Sequence, residues 1–414
     1  MAKRILSFMA TVFFVFCFQT PGFTQSLPVF GPNKYVRTTG APNTYTASFQ
    51  SCNTGATYKL VVENGEGDKN RISSAFITLN GQEIVKQNDF SQKIDKIEKA
   101  ATLQQENTLE IKLASGPGGF IKISVYCVSN CLEVKIASPA SGTNVNKSQT
   151  IIKGDLYNAF GETGVVLQSS GPGGKASALA QTRGANFAGV IPLQQGQNTI
   201  TATATDACGY KTTDTIIVNT ETLEEKISLT ANPSSGIPPP LSVTLEAEAY
   251  PPNPVSSYSW DTNGDGTPDQ TGSTLSKITV SYQNPGLYFP KVTITDTKNN
   301  TYSETTIVNV LSKEEIDVIL KGKWDGMKGK LSHEKITDAL NYFAKDSKME
   351  YREIFELLSP KLSSLVSGMS EITMIGVREN VAEYYIKRFQ RGTDISYFIY
   401  FIKDEDGIWK IRDF

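Results

Sequence analysis

The chain has 414 residues, with 40 Lys and Arg against 42 Asp and Glu, which gives a formal net charge of −2. This length predicts about three or four domains of ordinary size. The near balance of charge excludes a strongly basic surface of the kind that attracts nucleic acid or acidic lipid.

Residues 1–25 have a short basic start followed by an apolar run at 5–18. The run is shorter than the roughly 20 apolar residues that cross a bilayer, and Pro21-Gly22 follows it. This pattern predicts a secretory signal peptide, with an uncleaved N-terminal anchor as the alternative. The bulky Phe16 before Cys17 argues against a lipoprotein. We expect a secreted, periplasmic or cell-surface protein with no later transmembrane segment.

The remaining cysteines are candidates for disulfide bonds: Cys52, Cys127, Cys131 and Cys208. An even count in an exported chain favours disulfides over a metal or catalytic site, and four cysteines permit three pairings. The module boundaries proposed below favour Cys52–Cys127 and Cys131–Cys208, one bond in each of the first two modules. Each bond would close a loop of roughly 75 residues, worth about 4 kcal/mol by the chain-entropy estimate.

Residues 28–129, here module 1, alternate apolar and polar side chains in segments such as 57–62, 75–79 and 109–113. This period of two is typical of strands with one buried face. Asn80-Gly81 predicts a tight hairpin turn with positive φ angles. The opening from Gly31-Pro32 to Tyr45 resembles that of a β-sandwich module of exported bacterial proteins, so a β-sandwich is expected.

Residues 131–221, module 2, contain Ser138-Pro139 with Gly142 and Val145, and close with a strand-like run from Gly196 to Asp206. Alternate residues of that run are small and apolar, which suits one buried face of a strand. The two motifs resemble those of bacterial immunoglobulin-like domains, which implies a second β-sandwich.

Residues 226–311, module 3, carry the most distinctive motifs: Tyr258-Ser259-Trp260-Asp261, Gly264-Asp265-Gly266, Pro285-Gly286-Leu287-Tyr288 and Val292-Thr293-Ile294-Thr295-Asp296. They resemble a polycystic-kidney-disease (PKD) repeat, an immunoglobulin-like β-sandwich. The resemblance implies a module that spaces, adheres or stabilises rather than one that catalyses.

Residues 312–414, the C-terminal domain, change to helical periodicity. Ser312 and Glu315 form the pattern of a capping box for a helix through Trp324, and further helices are predicted near 333–344 and 348–358. Strands are predicted at about 371–377, 380–389, 395–403 and 407–413. Helices followed by an antiparallel sheet indicate an α+β domain. This order and the ending 406–414 resemble the nuclear-transport-factor-2-like (SnoaL-like) cone fold.

One loop of module 3 has the residue pattern of a calcium site. Asp261, Asn263, Asp265 and Asp269 offer side-chain oxygens at the spacing of a calcium loop, Thr267 offers its carbonyl, and Gly266 stands at the sharp turn. Position twelve is Gly272, so the usual bidentate glutamate is missing. The alternative is a polar hairpin tip that needs no ion. Calcium is the only cofactor that the sequence suggests.

Catalytic residues are scarce. His333 is the only histidine, and it lies at a predicted helix start, where a solvated side chain is the simpler interpretation than a triad member. A single histidine excludes the usual zinc sites. Six aromatic residues of the C-terminal strands could line a concave pocket, although ordinary core is favoured: Tyr384, Tyr385, Tyr397, Phe398, Tyr400 and Phe401.

We therefore predict three β-sandwich modules followed by an α+β domain, in a non-enzymatic exported protein of adhesion, binding or surface assembly. The partner would be an extracellular protein or glycan, with no role for nucleic acid. The alternative is an accessory or catalytic role in extracellular polysaccharide metabolism. A homodimer through the C-terminal domain is a third hypothesis.

Overall fold

The computed structural model describes residues 28–414 except 68, 224, 238–239 and 391–392. The predicted signal peptide, residues 1–25, lies outside the described residues. Within residues 28–311, apart from those gaps, the regular structure is strands and one short 3₁₀ turn, Gln87–Asp89. Among the described helices, none combines the length and the hydropathy of a membrane-spanning segment.

Module 1 is a sandwich of two antiparallel four-stranded sheets, ordered β1-β8-β3-β6 and β2-β7-β4-β5. Asn80 and Gly81 both have positive φ angles and form the predicted turn between β4 and β5. The strands are β1 (Phe30–Val36), β2 (Asn43–Gln50), β3 (Thr57–Asn64), β4 (Ala75–Leu79), β5 (Gln82–Val85), β6 (Lys96–Ala101), β7 (Glu106–Leu113) and β8 (Phe120–Ser129).

Module 2 is a second sandwich, with sheets ordered β14-β15-β11-β9 and β10-β17-β16-β12-β13. The predicted closing run is strand β16, whose Ile200, Ala202 and Ala204 are fully buried as its alternation requires. The strands are β9 (Glu133–Ser138), β10 (Thr143–Asn144), β11 (Gln149–Tyr157), β12 (Thr163–Gly171), β13 (Gly174–Leu179), β14 (Gln181–Arg183), β15 (Asn186–Pro192), β16 (Gly196–Asp206) and β17 (Lys211–Thr220).

Module 3 contributes one complete sheet, β22-β21-β25-β26, and a facing sheet, β18-β20-β23. Its strands β24, β27 and β19 continue into the sheet of the C-terminal domain. The strands are β18 (Ile227–Asn232), β19 (Ser235–Gly236), β20 (Leu241–Ala249), β21 (Val255–Asp261), β22 (Gln270–Gly272), β23 (Lys277–Tyr282), β24 (Gly286–Tyr288), β25 (Lys291–Asp296), β26 (Thr301–Thr305) and β27 (Val308–Val310).

The C-terminal domain is α+β, as predicted, with its helices before its strands. Three elements agree closely with the sequence pattern: the first helix, the helix at 348–358 and the four-stranded antiparallel order β28-β29-β30-β31. The elements are α1 (Lys313–Ser332), α2 (Ile336–Ala339), α3 (Lys348–Leu358), α4 (Leu362–Ser367), β28 (Thr373–Arg378), β29 (Val381–Gln390), β30 (Thr393–Lys403) and β31 (Trp409–Asp413).

One helical prediction needs correction, and one helix was missed. The helix predicted at 333–344 is only the single turn α2 followed by the 3₁₀ segment Leu340–Tyr342, and α4 was not predicted. The reason is the end of α1, where Glu334 has a φ angle of 58°. A residue in this left-handed conformation ends a helix, so the next one starts later.

Modules 1 and 2 share one continuous hydrophobic core, in which Val62 and Ile123 of the first belong to the same cluster as Val165 and Ile200 of the second. Module 3 and the C-terminal domain each have their own core. The first two sandwiches are therefore one packed unit, which separate sequence motifs do not indicate.

Candidate functional site

The two disulfide bonds differ from the predicted pairs. Cys52 bonds to Cys208 and Cys127 bonds to Cys131, in place of Cys52–Cys127 and Cys131–Cys208. All four cysteines border the junction between modules 1 and 2. The prediction assumed one bond inside each sandwich, whereas the longer bond joins the two sandwiches and the shorter one spans their linker.

The predicted calcium loop connects β21 to β22, and Asp261 is its anchor. One carboxylate oxygen of the buried Asp261 accepts from the N–H groups of Gly264 (2.7 Å) and Asp265 (3.2 Å), and the other accepts from Gly266 (2.8 Å). Gly264 and Gly266 both have positive φ angles, which glycine adopts without strain. The carboxylate therefore ties the loop to the end of β21.

The side chains of the other predicted calcium ligands form hydrogen bonds with residues of the same loop. Asp269 accepts from the N–H and hydroxyl of Thr262, both at 2.6 Å. Asp265 accepts from the Thr267 N–H at 2.7 Å and from the Asn263 amide at 3.0 Å, and the first of these bonds is the larger cause of its lowered pKa. Across the described residues, no group of three or more His, Cys, Asp or Glu is arranged to hold a metal ion. The structure thus brings the five residues together but directs their carboxylates at N–H and O–H donors, and calcium stays a prediction.

Replacing Asp261 by alanine is expected to destabilise module 3 by about 2–3 kcal/mol, because three backbone N–H groups lose their acceptor at a buried position. Denaturant unfolding of the full chain measures the loss. Asp265→Ala is the matched control, since Asp265 is exposed and should cost much less. Equal losses in the two variants would contradict the anchoring role. A calcium site would instead show as a rise in wild-type melting temperature that Asp265→Ala removes.

Asp206 and Asp296 hold equivalent turns in modules 2 and 3. Asp206 ends β16 and accepts from the N–H groups of Cys208 and Tyr210, both at 2.9 Å. Asp296 ends β25 and accepts from Lys298 (2.8 Å) and Asn300 (2.9 Å). The Asn300 side chain is the main cause that lowers the pKa of Asp296 to about 2, whereas burial raises that of Asp206. Both acids fix a hairpin turn. The sequence signal that could have indicated this role is the Thr-Asp pair that ends both strand-like segments, 196–206 and 292–296.

His333 was predicted to lie at the start of a helix. It lies instead at the end of one. It is the C-terminal cap of α1 and is exposed, and its Nδ1 lies 2.9 Å from the Gly329 carbonyl oxygen and 3.1 Å from the Ser332 hydroxyl. The described cysteines are all in disulfide bonds. Within residues 28–414 as described, no free cysteine thiol therefore approaches this histidine.

The aromatic residues of the C-terminal sheet divide between core and surface. Tyr384 and Phe401 are fully buried in one cluster with Trp324, which belongs to α1. The Tyr384 hydroxyl donates to Asp317 at 3.1 Å. Phe398, on the opposite face, is 51% exposed. The face of the sheet toward the helices is packed core. The sequence favoured this interpretation over a concave pocket.

The C-terminal domain contacts each of the three sandwiches. In the contact with module 2, the Glu162 carboxylate pairs with Lys323 at 2.7 Å, and the two side chains are only 10% and 13% exposed. The same carboxylate accepts from the backbone N–H of Trp409 at 2.6 Å. A Cβ at Gly164 would lie 2.3 Å from the Asp406 carbonyl oxygen, so this approach of two backbones requires glycine. To module 1, Lys330 pairs with Glu106.

The junction with module 3 is a shared sheet. Gly236 of β19 pairs with Arg378 of β28, which produces one seven-stranded sheet across the boundary. Next to it, the Glu379 carboxylate accepts from the N–H (2.5 Å) and the hydroxyl (2.6 Å) of Ser234. These contacts fix the C-terminal domain against the sandwiches, and the sequence motifs did not indicate them.

Comparison with known proteins agrees with the sandwich assignment of module 3. Residues 226–309 match the PKD domain. No curated protein matches the chain. The match covers module 3 alone, and the sandwich character of modules 1 and 2 is shown by their paired sheets.

Several solved structures are weakly similar. The fibronectin(III)-like modules of Clostridium thermocellum CbhA are 16% identical, with 44% of this chain and 96% of that chain covered and a TM-score of 0.18. Dimeric latent PorU of Porphyromonas gingivalis is 9% identical, with 71% and 34% covered and a TM-score of 0.28. The chicken CNTN1 FN1–FN3 domains are 9% identical, with 65% and 99% covered and a TM-score of 0.18. At these scores the likenesses carry no functional argument.

Proposed function

We propose that the protein is a non-enzymatic exported binding or surface-assembly protein, in which the sandwiches hold the C-terminal domain in a fixed position. The observation that carries the proposal is the set of junctions around that domain. A shared sheet joins it to module 3, and the nearly buried Glu162–Lys323 pair joins it to module 2. The disulfide-bonded sandwiches and the PKD match support a location outside the cytoplasm.

The C-terminal domain is the proposed binding element, with a nuclear-transport-factor-2-like cone as its proposed fold. Helices followed by a four-stranded antiparallel sheet support that fold. Its outer sheet face exposes Val381 and Phe398, which supports contact with a partner protein or a second copy of the chain. Light scattering of the full chain distinguishes a homodimer from a monomer that awaits another partner.

The purified full chain is expected to show no hydrolysis of glycoside, ester or peptide substrates. The physical reason is that the side chains of its buried acids and its histidine are engaged with the local backbone. The buried Asp206 and Asp296 anchor turns, and His333 caps a helix. Hydrolysis that a single side-chain replacement abolished without unfolding the protein would contradict the proposal. Glycan-array binding together with such activity would favour the role in polysaccharide metabolism.

A further inference from the structure

A cavity of about 180 Å³ lies between module 2 and the C-terminal domain. Pockets for drug-sized ligands are usually about 300 Å³ or more, so this one suits a smaller molecule. Its walls come from β12 and the β14–β15 hairpin on one side, and from α1, β30 and β31 on the other. The lining residues used below are Thr163, Arg183, Ser312, Ile316, Lys403 and Trp409.

Among the described residues around the cavity, one cation has no carboxylate in direct contact. Two carboxylates line it, but Glu162 is paired with Lys323 at 2.7 Å and Glu315 with Arg183 at 3.1 Å. Lys403 has no carboxylate within 4 Å in the described part of the chain, and its Nζ lies 5.8 Å from the centroid of the Trp409 ring. Burial is the main cause that lowers the pKa of Lys403, and the nearby charge of Glu162 offsets only part of that lowering. An ammonium that has lost solvent, and that no carboxylate contacts directly, favours a bound anion.

Two further groups at the cavity can receive an anion. Helix α1 begins there at Ser312, whose hydroxyl accepts from the Glu315 N–H, while the Glu315 carboxylate reaches across to Arg183 instead of closing the predicted capping box. The N–H groups and dipole of a helix start attract negative charge. Independently, the Thr163 hydroxyl is buried, with the residue 8% exposed, and has no hydrogen-bond partner among the described residues. A buried donor without an acceptor is costly, so a ligand oxygen would satisfy it.

The wall also has an apolar part, formed by Leu311, Ile316, Ile319 and Trp409. We propose that this cavity binds a small organic monocarboxylate. The carboxylate group contacts Lys403, Thr163 and the first turn of α1, and the carbon skeleton packs on Ile316 and Trp409. The proposal goes beyond the function proposed above and does not depend on it, since a protein that binds such an acid need not transform it.

Calorimetric titration of the full chain at constant ionic strength tests the site with four probes. Isobutyrate and glucuronate carry a carboxylate, while isobutanol and glucose are their uncharged counterparts. At least one acid is expected to bind, and its uncharged counterpart is expected not to bind. Binding of isobutyrate alone would assign an aliphatic acid, and binding of glucuronate a sugar acid. Failure of both acids at about 10 mM, well above the range of weak specific binding, would overturn the proposal.

Lys403→Met keeps the side-chain length and removes the charge, and it should weaken binding of the acid about tenfold or more. Lys345→Met is the matched control, because Lys345 is exposed, pairs with Glu405 and does not line the cavity. Thr163→Val provides a second variant if Lys403→Met does not fold, and it should weaken binding by several-fold without loss of stability. Unchanged affinity in the Lys403 variant, or in Thr163→Val when that is the variant measured, would overturn the assignment.

Discussion

Replacing Cys52 and Cys208 together by alanine is expected to destabilise modules 1 and 2 by up to about 5 kcal/mol. The two cysteines are 156 residues apart in sequence, and the chain-entropy estimate for a loop of that length is about 5 kcal/mol. The bond also ties the segment after β2 to the turn between β16 and β17, so its loss leaves the shared core as the main contact between the two sandwiches. Urea unfolding of the wild type and the double variant, without reductant, measures the difference.

The second disulfide supplies the control. Cys127 and Cys131 are only 4 residues apart, so the same estimate for their removal is about 2 kcal/mol. Peptide mapping of the unreduced protein should recover Cys52–Cys208 and Cys127–Cys131. A loss from the Cys127/Cys131 double variant as large as that from the Cys52/Cys208 variant would show that loop length does not determine the stabilisation.

The pairing illustrates a limit of sequence reasoning. The proposed module boundaries indicated one bond per sandwich, but all four cysteines border the same junction. Tyr58 of module 1 and Tyr210 of module 2 are both buried there and belong to one core. The choice of partners therefore depends on how two folded modules pack, and no local pattern encodes that.

Local patterns were reliable where short-range physics determines the structure. Asn80-Gly81 forms its turn because both residues adopt positive φ angles, and Ile200 and Ala202 are buried because strands alternate their faces. The motif around Trp260 belongs to the PKD match, and Trp260 is fully buried in that core. The sandwich character of the chain was therefore predictable from its sequence.

Side-chain partners were less predictable than elements. The oxygen-rich loop at Asp261 follows strand β21, but the sequence did not show that its carboxylates accept bonds from the loop's own donors. Glu315 was assigned to a capping box, yet its carboxylate bonds to Arg183 of module 2. In each case the carboxylate bonds to a donor other than the predicted partner. The position of that donor depends on the folded structure and not on the spacing of residues in the sequence.

The junction between module 2 and the C-terminal domain is the clearest case, since it depends on Glu162, which no motif singled out. Glu162→Ala is expected to destabilise the C-terminal domain by about 3–5 kcal/mol, because Lys323 is left nearly buried without a counter-charge. The Trp409 N–H loses its acceptor at the same time. Urea unfolding followed by tryptophan fluorescence measures this, as Trp324 and Trp409 both lie in that domain.

A second ion pair across the same junction provides the comparison. Glu315 pairs with Arg183, but its side chain is 64% exposed, so Glu315→Ala should cost about 1 kcal/mol or less. Glu162→Gln should fall between the two, because its amide oxygen can still accept from Trp409 while the charge on Lys323 stays unpaired. If Glu162→Ala cost no more than Glu315→Ala, burial would not be what makes this contact strong, and the C-terminal domain would be held mainly by its shared sheet with module 3.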